Sequence, residues 1–171
     1  MRATEPLDEG VVERDGVSLY YEVYGEGTPT IVLLPTWSII HSRFWKAQIP
    51  YLSRHYRVLA WDGRGTGRSS RPEGSAAYTH LEFAADTVAV MDATGTGQAI
   101  VMALSCGTLW GVQLAADQPE RVLGLVSMNP AVPLAPALPE REVYQFDEEY
   151  QATEGWAKHN AATGSATTRT T

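Results

Sequence analysis

The stretch Gln98-Ala-Ile-Val-Met-Ala-Leu-Ser-Cys-Gly-Thr-Leu-Trp-Gly-Val-Gln-Leu-Ala-Ala-Asp117 decides the fold. Its opening, through Ala103, is a short apolar run of the kind carried by a strand buried on both faces. Beyond the serine, Leu109, Val112, Ala115 and Ala116 recur at helical spacing until Pro119 ends the pattern, and Gly111 is placed to let that helix approach a sheet closely. Between the two patterns lies Ala103-Leu-Ser-Cys-Gly107, a serine with small residues two positions before and after it. A sharp strand-to-helix turn drives its central residue into a strained backbone region, and only small neighbours fit around it. Such a turn lifts a hydroxyl out of the sheet and leaves the first amides of the next helix unpaired beside it. Ser105 is therefore the candidate nucleophile, and the backbone N–H of Cys106 a candidate oxyanion donor.

Working outward, the same alternation continues. Val11–Arg14 and Val17–Tyr24 flank Asp15-Gly16, a two-residue hairpin signal, so the chain begins with an antiparallel pair. Thr30-Ile-Val-Leu-Leu-Pro35 reads as a central strand, and Phe44, Trp45, Ile49 and Leu52 suggest a helix leading to another strand over 56–61. Leu81, Ala84, Ala85, Val88 and Met91 predict a second helix, capped by Thr79 and ending near Gly95. Arg121-Val-Leu-Gly-Leu-Val-Ser-Met128 is the last strand before Asn129-Pro130. Strands alternating with helices from residue 30 onward imply right-handed crossovers and a mostly parallel, doubly wound sheet. The predicted class is α/β, with an N-terminal antiparallel hairpin.

Three features carry rival readings. Asp62-Gly-Arg-Gly-Thr-Gly-Arg-Ser69 follows a strand, as a phosphate loop does, but lacks the Gly-Lys-Ser/Thr ending and is followed by Arg71-Pro-Glu-Gly74 rather than a helix. A structural turn, with Asp62 or Arg64 bonded to neighbouring backbone, fits better. Cys106 is either a reactive thiol beside the nucleophile or a packed small side chain; the elbow turns the residue after the serine away from it, which favours packing. Trp37, Phe44 and Trp45 either line an apolar substrate pocket or sit in the core, the commoner place for aromatics after a core strand.

Composition bounds the partners. The chain has 171 residues, 44% of them hydrophobic, enough for one domain with a sizeable core. No apolar run is long enough to span a membrane, the first ten residues are polar and acidic, and the expected location is cytoplasmic. A net charge of −7 with scattered arginines opposes nucleic-acid binding. Cys106 is the sole cysteine, which removes intrachain disulfides and cysteine-based zinc sites. No cofactor or metal is expected, and the expected partner is a small-molecule acyl substrate.

Together these residues resemble the α/β hydrolase superfamily, in its lipase- and esterase-like branch, over about residues 10 to 135. Leu33-Leu-Pro-Thr-Trp-Ser38 is similar to that family's strand and oxyanion loop, Trp61–Ser69 to its Asp-x-Arg-Gly-x-Gly-x-Ser loop, and Pro119-Glu-Arg-Val122 to its exit from the post-elbow helix. The resemblance implies an α/β hydrolase core and acyl chemistry at Ser105, with Cys106 and Ser38 supplying oxyanion amides. This chain has Thr36-Trp37 where the family usually has His-Gly, and Ala103 where it often has glycine. The family orders its triad serine, acid, histidine. After Ser105 the only histidine is His159, with no strand-like run before it, and Asn129 stands where some members place the carboxylate. His41, His55 and His80 precede the serine, and Asp147, Glu148 and Glu149 read as a solvated charge run.

The sequence thus divides into a flexible N-terminus over 1–9, the N-terminal part of a hydrolase core over 10–135, the start of a lid over 136–160 and a disordered tail over 161–171. The tail's Ala, Thr, Gly, Ser and Arg enrichment matches a shifted reading frame in a GC-rich gene. The expectation is an incomplete fold and a truncated product, weakly active or inactive, that self-associates through the exposed apolar edge of its last strand. The alternative is a non-catalytic ligand-binding or interaction module on the same scaffold.

Overall fold

The structure, a computed structural model, describes residues 4–37 and 40–130. Its chain order is β1 (Asp8–Arg14), β2 (Val17–Tyr24), β3 (Thr30–Leu33), a 3-10 turn over Ser42–Ala47, α1 (Ile49–Leu52), β4 (Arg57–Trp61), α2 (His80–Ala93), β5 (Ala99–Leu104), α3 (Gly107–Asp117) and β6 (Val122–Met128). The strands form one six-stranded sheet in the order β1-β2-β4-β3-β5-β6. β1 and β2 pair antiparallel, β2 meets β4 antiparallel, and β4, β3, β5 and β6 run parallel. The expected α/β class and its antiparallel start are present. The hairpin turn is Asp15-Gly16, with φ of 50° and 78°, the backbone hand that a two-residue turn needs to match strand twist.

The sheet is packed on both faces, which is why its central strands are almost entirely apolar. On one face Leu19, Val23, Val32, Leu34, Leu59, Trp61 and Val101 meet α2 and α3, where Phe83 stacks on Trp110 with ring centroids 3.8 Å apart. On the other face Tyr24, Ile31, Leu33, Val58 and Ala60 pack with Trp45 and Ile49 from the 3-10 turn and α1. Trp45 is thus a core residue, its indole N–H donating to the Leu34 carbonyl at 2.9 Å. The helix expected over Phe44–Leu52 is a 3-10 turn and one α-turn, the second beginning at Ile49-Pro50, where proline suits a helix start.

Both long helices differ from their expected buried faces. In α2, Leu81 is exposed, and the buried side is Phe83, Ala84, Asp86, Thr87, Val90 and Met91. In α3, Val112 is exposed, and Trp110, Gly111 and Leu114 face the sheet. The phase of α2 follows from Asp86. Its carboxylate accepts two bonds from the Arg64 guanidinium and one from Arg14 Nε, each 2.7 Å long. Arg14 also meets Glu82. Removing one member of such a buried set strands the others and costs about 3–5 kcal/mol. The predicted close approach of α3 is present at Gly111, where a Cβ would lie 2.8 Å from Leu125 Cδ1. Among the described residues β6 pairs only with β5, and Leu123 and Val126 are exposed on it. No helix among these residues is long and apolar enough to cross a membrane.

Candidate active site

The carboxyl ends of β3 and β5 come together at Ser105. β5 closes at Leu104, α3 opens at Gly107, and the residue between them and Cys106 has φ +53°, the left-handed region that non-glycine residues avoid. Holding serine there costs of order 1–3 kcal/mol and requires surroundings that over-determine it. Those surroundings are visible. The Ser105 N–H donates to Met128 O of β6 at 3.0 Å, while Thr108 N and Leu109 N donate back to the Ser105 and Cys106 carbonyls at 3.1 and 3.0 Å. At Gly107 an added Cβ would lie 2.4 Å from the Pro35 carbonyl oxygen, so only glycine lets the loop leaving β3 lie against the head of α3.

That loop is tied down on both sides. Leu34 N donates to Met102 O at 2.9 Å, Thr36 forms a bridge with Ile40, and Ile40 N donates to Trp37 O at 3.2 Å. Further along, Asp62 braces it from β4. Its Oδ1 accepts the Ser42 N–H at 2.7 Å and its Oδ2 the Arg68 N–H at 2.9 Å. Gly67, at φ +49°, gives the carboxylate room, since a Cβ there would sit 1.9 Å from Asp62 Oδ2. The Asp62–Ser69 loop therefore encloses a carboxylate of its own, and a phosphate cradle would place an anion against it. The structural reading holds, with one refinement: Arg64 reaches the Asp86 side chain as well as the Ala77 carbonyl, the latter at 2.6 Å.

Ser105 is half-buried, and Cys106 is buried. The expected packed thiol is present, but it is not turned away from the serine. Cys106 Sγ lies 3.6 Å from Ser105 Oγ. Burial pushes the thiol above its ordinary range, opposed by hydrogen bonding to the Ser105 side chain and to nearby backbone, so the sulfur is a neutral thiol near pH 7. The loop after β3 lies against the head of α3 through Pro35 and Gly107, a contact that no feature of the pentapeptide reports.

Of the expected site residues, Ser105 and Cys106 are adjacent at the elbow, and Ser38 lies outside the described residues. Trp37, which sequence reasoning did not single out for its backbone, takes part in the hydrogen bonding that opposes the rise of the Cys106 thiol. The available signal was its position in the matched stretch Leu33–Ser38. His159 and the Asp147-Glu148-Glu149 run also lie outside the described residues. His41 caps the 3-10 turn, its Nδ1 accepting the Arg43 N–H at 3.3 Å, and His55 lies between the edges of Tyr51 and Tyr56. Asn129, at φ +45°, directly follows the residue that accepts the Ser105 N–H.

Comparison with known proteins agrees with this geometry. A family model described as alpha/beta hydrolase fold matches residues 29–161. The chain is 40% identical over 111 residues to a protein of Azorhizobium caulinodans named carbamate hydrolase RutD, a match covering 65% of this chain and 40% of that protein. Among solved structures it is similar to Est816, described as an N-acyl homoserine lactone degrading enzyme, with TM-score 0.65 and 37% identity over 71% of this chain and 45% of the other. It is also similar to the enol-lactonase of Burkholderia xenovorans LB400, with TM-score 0.73 and 30% identity over 90% of this chain and 58% of the other. The chain spans about two fifths of the length of the RutD proteins it matches.

Proposed function

Because the chain belongs to the alpha/beta hydrolase fold family, we propose that it carries the nucleophile and oxyanion donors of a serine hydrolase acting on an ester, lactone, carbamate or related acyl carbonyl. The observation that carries this reading is Ser105 at φ +53° between β5 and the head of α3. A backbone cost borne at one polar residue, with a glycine cleared for it two positions on, is the arrangement that presents a hydroxyl to a substrate. The likeness to proteins named for carbamate and lactone hydrolysis supports the same substrate class.

In the proposed step, Ser105 Oγ bonds to the carbonyl carbon as its proton passes to a general base. The carbonyl oxygen takes the negative charge and receives hydrogen bonds from the Cys106 amide and from the Ser38 amide of the loop after β3, the latter outside the described residues. Collapse of the adduct expels the alcohol or amine and leaves an acyl-serine, which water hydrolyses. In this fold the base and its orienting acid follow the serine, and among the described residues no histidine follows Ser105. The proposed setting is the cytoplasm, which suits a chain with one cysteine and no partner for it.

Labelling with a fluorophosphonate tests the reading. A stable adduct on the folded protein that disappears in Ser105→Ala is the expected result. A folded protein that stays unlabelled, or a Ser105→Ala variant that labels equally, supports the non-catalytic module instead.

A further inference from the structure

Two buried carboxylates from different strands grip consecutive residues at the far end of the loop after β3. Asp62, just past β4, accepts the Ser42 N–H at 2.7 Å, and Glu22, on β2, accepts from the Arg43 guanidinium at 2.7 Å. Glu22 is 1% exposed and Asp62 3%, so both charges depend on the partners they find inside. Glu22 also accepts the Tyr20 hydroxyl at 2.9 Å and the Tyr24 hydroxyl at 2.6 Å, and Asp62 the Arg68 N–H at 2.9 Å. The circuit closes where the Arg68 guanidinium lies 4.4 Å from the centroid of the Tyr20 ring. Tyr20, Glu22 and Tyr24 all stand on β2, so this grip starts from the sheet rather than from another loop.

At its other end the same loop is fixed by Pro35, whose carbonyl oxygen lies against Gly107 at the head of α3. Residues 36–41, which include the proposed donor Ser38, thus run between two anchored points. From this arrangement we propose that Glu22, Arg43 and Asp62 are positioning residues for the hydrolase reaction: they clamp residues 42 and 43 so that the loop after β3 holds its oxyanion donor at the Ser105 elbow. The proposal rests on the serine-hydrolase reading above and extends it to residues set apart from the elbow itself. Of the partners of Glu22, Arg43 is the one that balances its charge, and a charge-assisted bond is stronger than a neutral one. The Arg43 side chain is 42% exposed, so it reaches inward from the surface, and losing it changes the hold on the loop more than it changes core packing. An oxyanion hole works through donors fixed before the charge develops, and a displacement of about 1 Å costs roughly 100-fold. A loosened loop therefore slows the bond-forming step and leaves ground-state binding nearly unaltered.

The test labels the folded protein with a fluorophosphonate over a range of concentrations, which separates the limiting rate from the half-saturating concentration. In Arg43→Ala the limiting rate is expected to fall about ten-fold at little-changed half-saturation, less than the roughly 100- to 1,000-fold lost when an oxyanion donor is removed outright. Arg43→Lys returns a cation to Glu22, where Arg43 makes a single N–H bond, and is expected to recover most of the rate. Arg121→Ala, which takes an arginine from its ion pair with Asp92, is expected to lower the urea midpoint and leave the limiting rate as it was. A limiting rate in Arg43→Ala equal to that of the unaltered chain overturns the proposal while leaving the serine reading intact, as does a slowing that Arg121→Ala reproduces. Should circular dichroism show Arg43→Ala to be misfolded, Arg43→Met keeps the aliphatic stem and drops the charge, and an unslowed rate there overturns the proposal by itself. Absence of Ser105-dependent labelling in the unaltered chain defeats the serine reading, and this inference with it.

Discussion

Two of the three described non-glycine residues with positive φ occupy that backbone region for opposite reasons. Asp15, at φ +50°, turns the hairpin between β1 and β2; Ser105, at φ +53°, turns the chain from β5 into α3. Around Asp15 the demand is local. Its neighbour Gly16 has nothing within 4 Å of an added Cβ, and Asp is one of the few residues whose short polar side chain eases the left-handed conformation. Around Ser105 the demand is tertiary. Met128 of β6 holds its N–H, and Pro35 of the loop after β3 leaves no space at Gly107. A turn residue is thus recognisable from its two neighbours, whereas the elbow is enforced by segments that lie far away in sequence. The difference teaches that the same φ is an economical turn in one place and a maintained strain in the other.

The comparison breaks most easily at the glycines. Gly107→Ala sets a methyl group 2.4 Å from a backbone oxygen, and either α3 or the loop after β3 must shift. We expect a loss of about 3 kcal/mol in urea unfolding, the range of an overpacked core, together with loss of fluorophosphonate labelling. Helix propensity alone favours alanine there by about 1 kcal/mol, so the sign of the change separates the two influences. Gly16→Ala meets no atom and pays only for its φ, about 1 kcal/mol, and leaves labelling unchanged. Equal losses at the two positions would contradict the tertiary account of the elbow.

A smaller effect sharpens the contrast at the strained residues themselves. Ser105→Gly relieves the backbone and is expected to stabilise the fold by about 1 kcal/mol while abolishing labelling. Asp15→Gly is expected to change stability by only a few tenths of a kcal/mol, since aspartate already suits its turn and its ion pair with Arg14 is largely exposed. Thermal melts of the two variants side by side read the difference.

The smallest effect is a dependence on pH. The Cys106 thiol is raised in the folded chain, first by burial, so the folded state holds its proton to higher pH than the unfolded chain does. The resulting stabilisation is fully present below the ordinary thiol value and fades as pH climbs through the raised one. Tyr20 and Tyr24, raised by burial and by the Glu22 carboxylate, act with the same sign at still higher pH. Cys106→Ala is therefore expected to flatten the first part of the alkaline decline and leave the second. Parallel declines in urea midpoint from pH 8 to 10 would contradict the burial of the thiol.

Much of the architecture was legible because its signals are short-range. Asp15-Gly16, the apolar run from Thr30, Thr79 ahead of α2 and the small residues around Ser105 each report a conformation through adjacent residues, and the structure has the corresponding hairpin, strand, cap and elbow. The helix faces were less legible. Leu81 and Val112 fit apolar stripes on paper, yet both are exposed, because Asp86 is drawn inward by two arginines and Gly111 takes the close contact with β6. A buried charge and a glycine are invisible to a search for apolar periodicity. At the site, the adjacency of Ser105 and Cys106 was read directly, while the approach of Pro35 to Gly107 had no counterpart in the pattern of residues.

The order of strands and helices, and the place where the backbone must bend around a serine, were determined by the sequence itself. Periodicity, small side chains and turn chemistry act within a few residues. What only the tertiary structure decided is which partners close on that bend. Arg64 and Arg14 find Asp86 across 22 and 72 residues, and the loop after β3 reaches the head of α3 through a contact between Pro35 and Gly107. Such choices depend on packing density and on satisfying buried charge, quantities that exist only once distant segments share the same space.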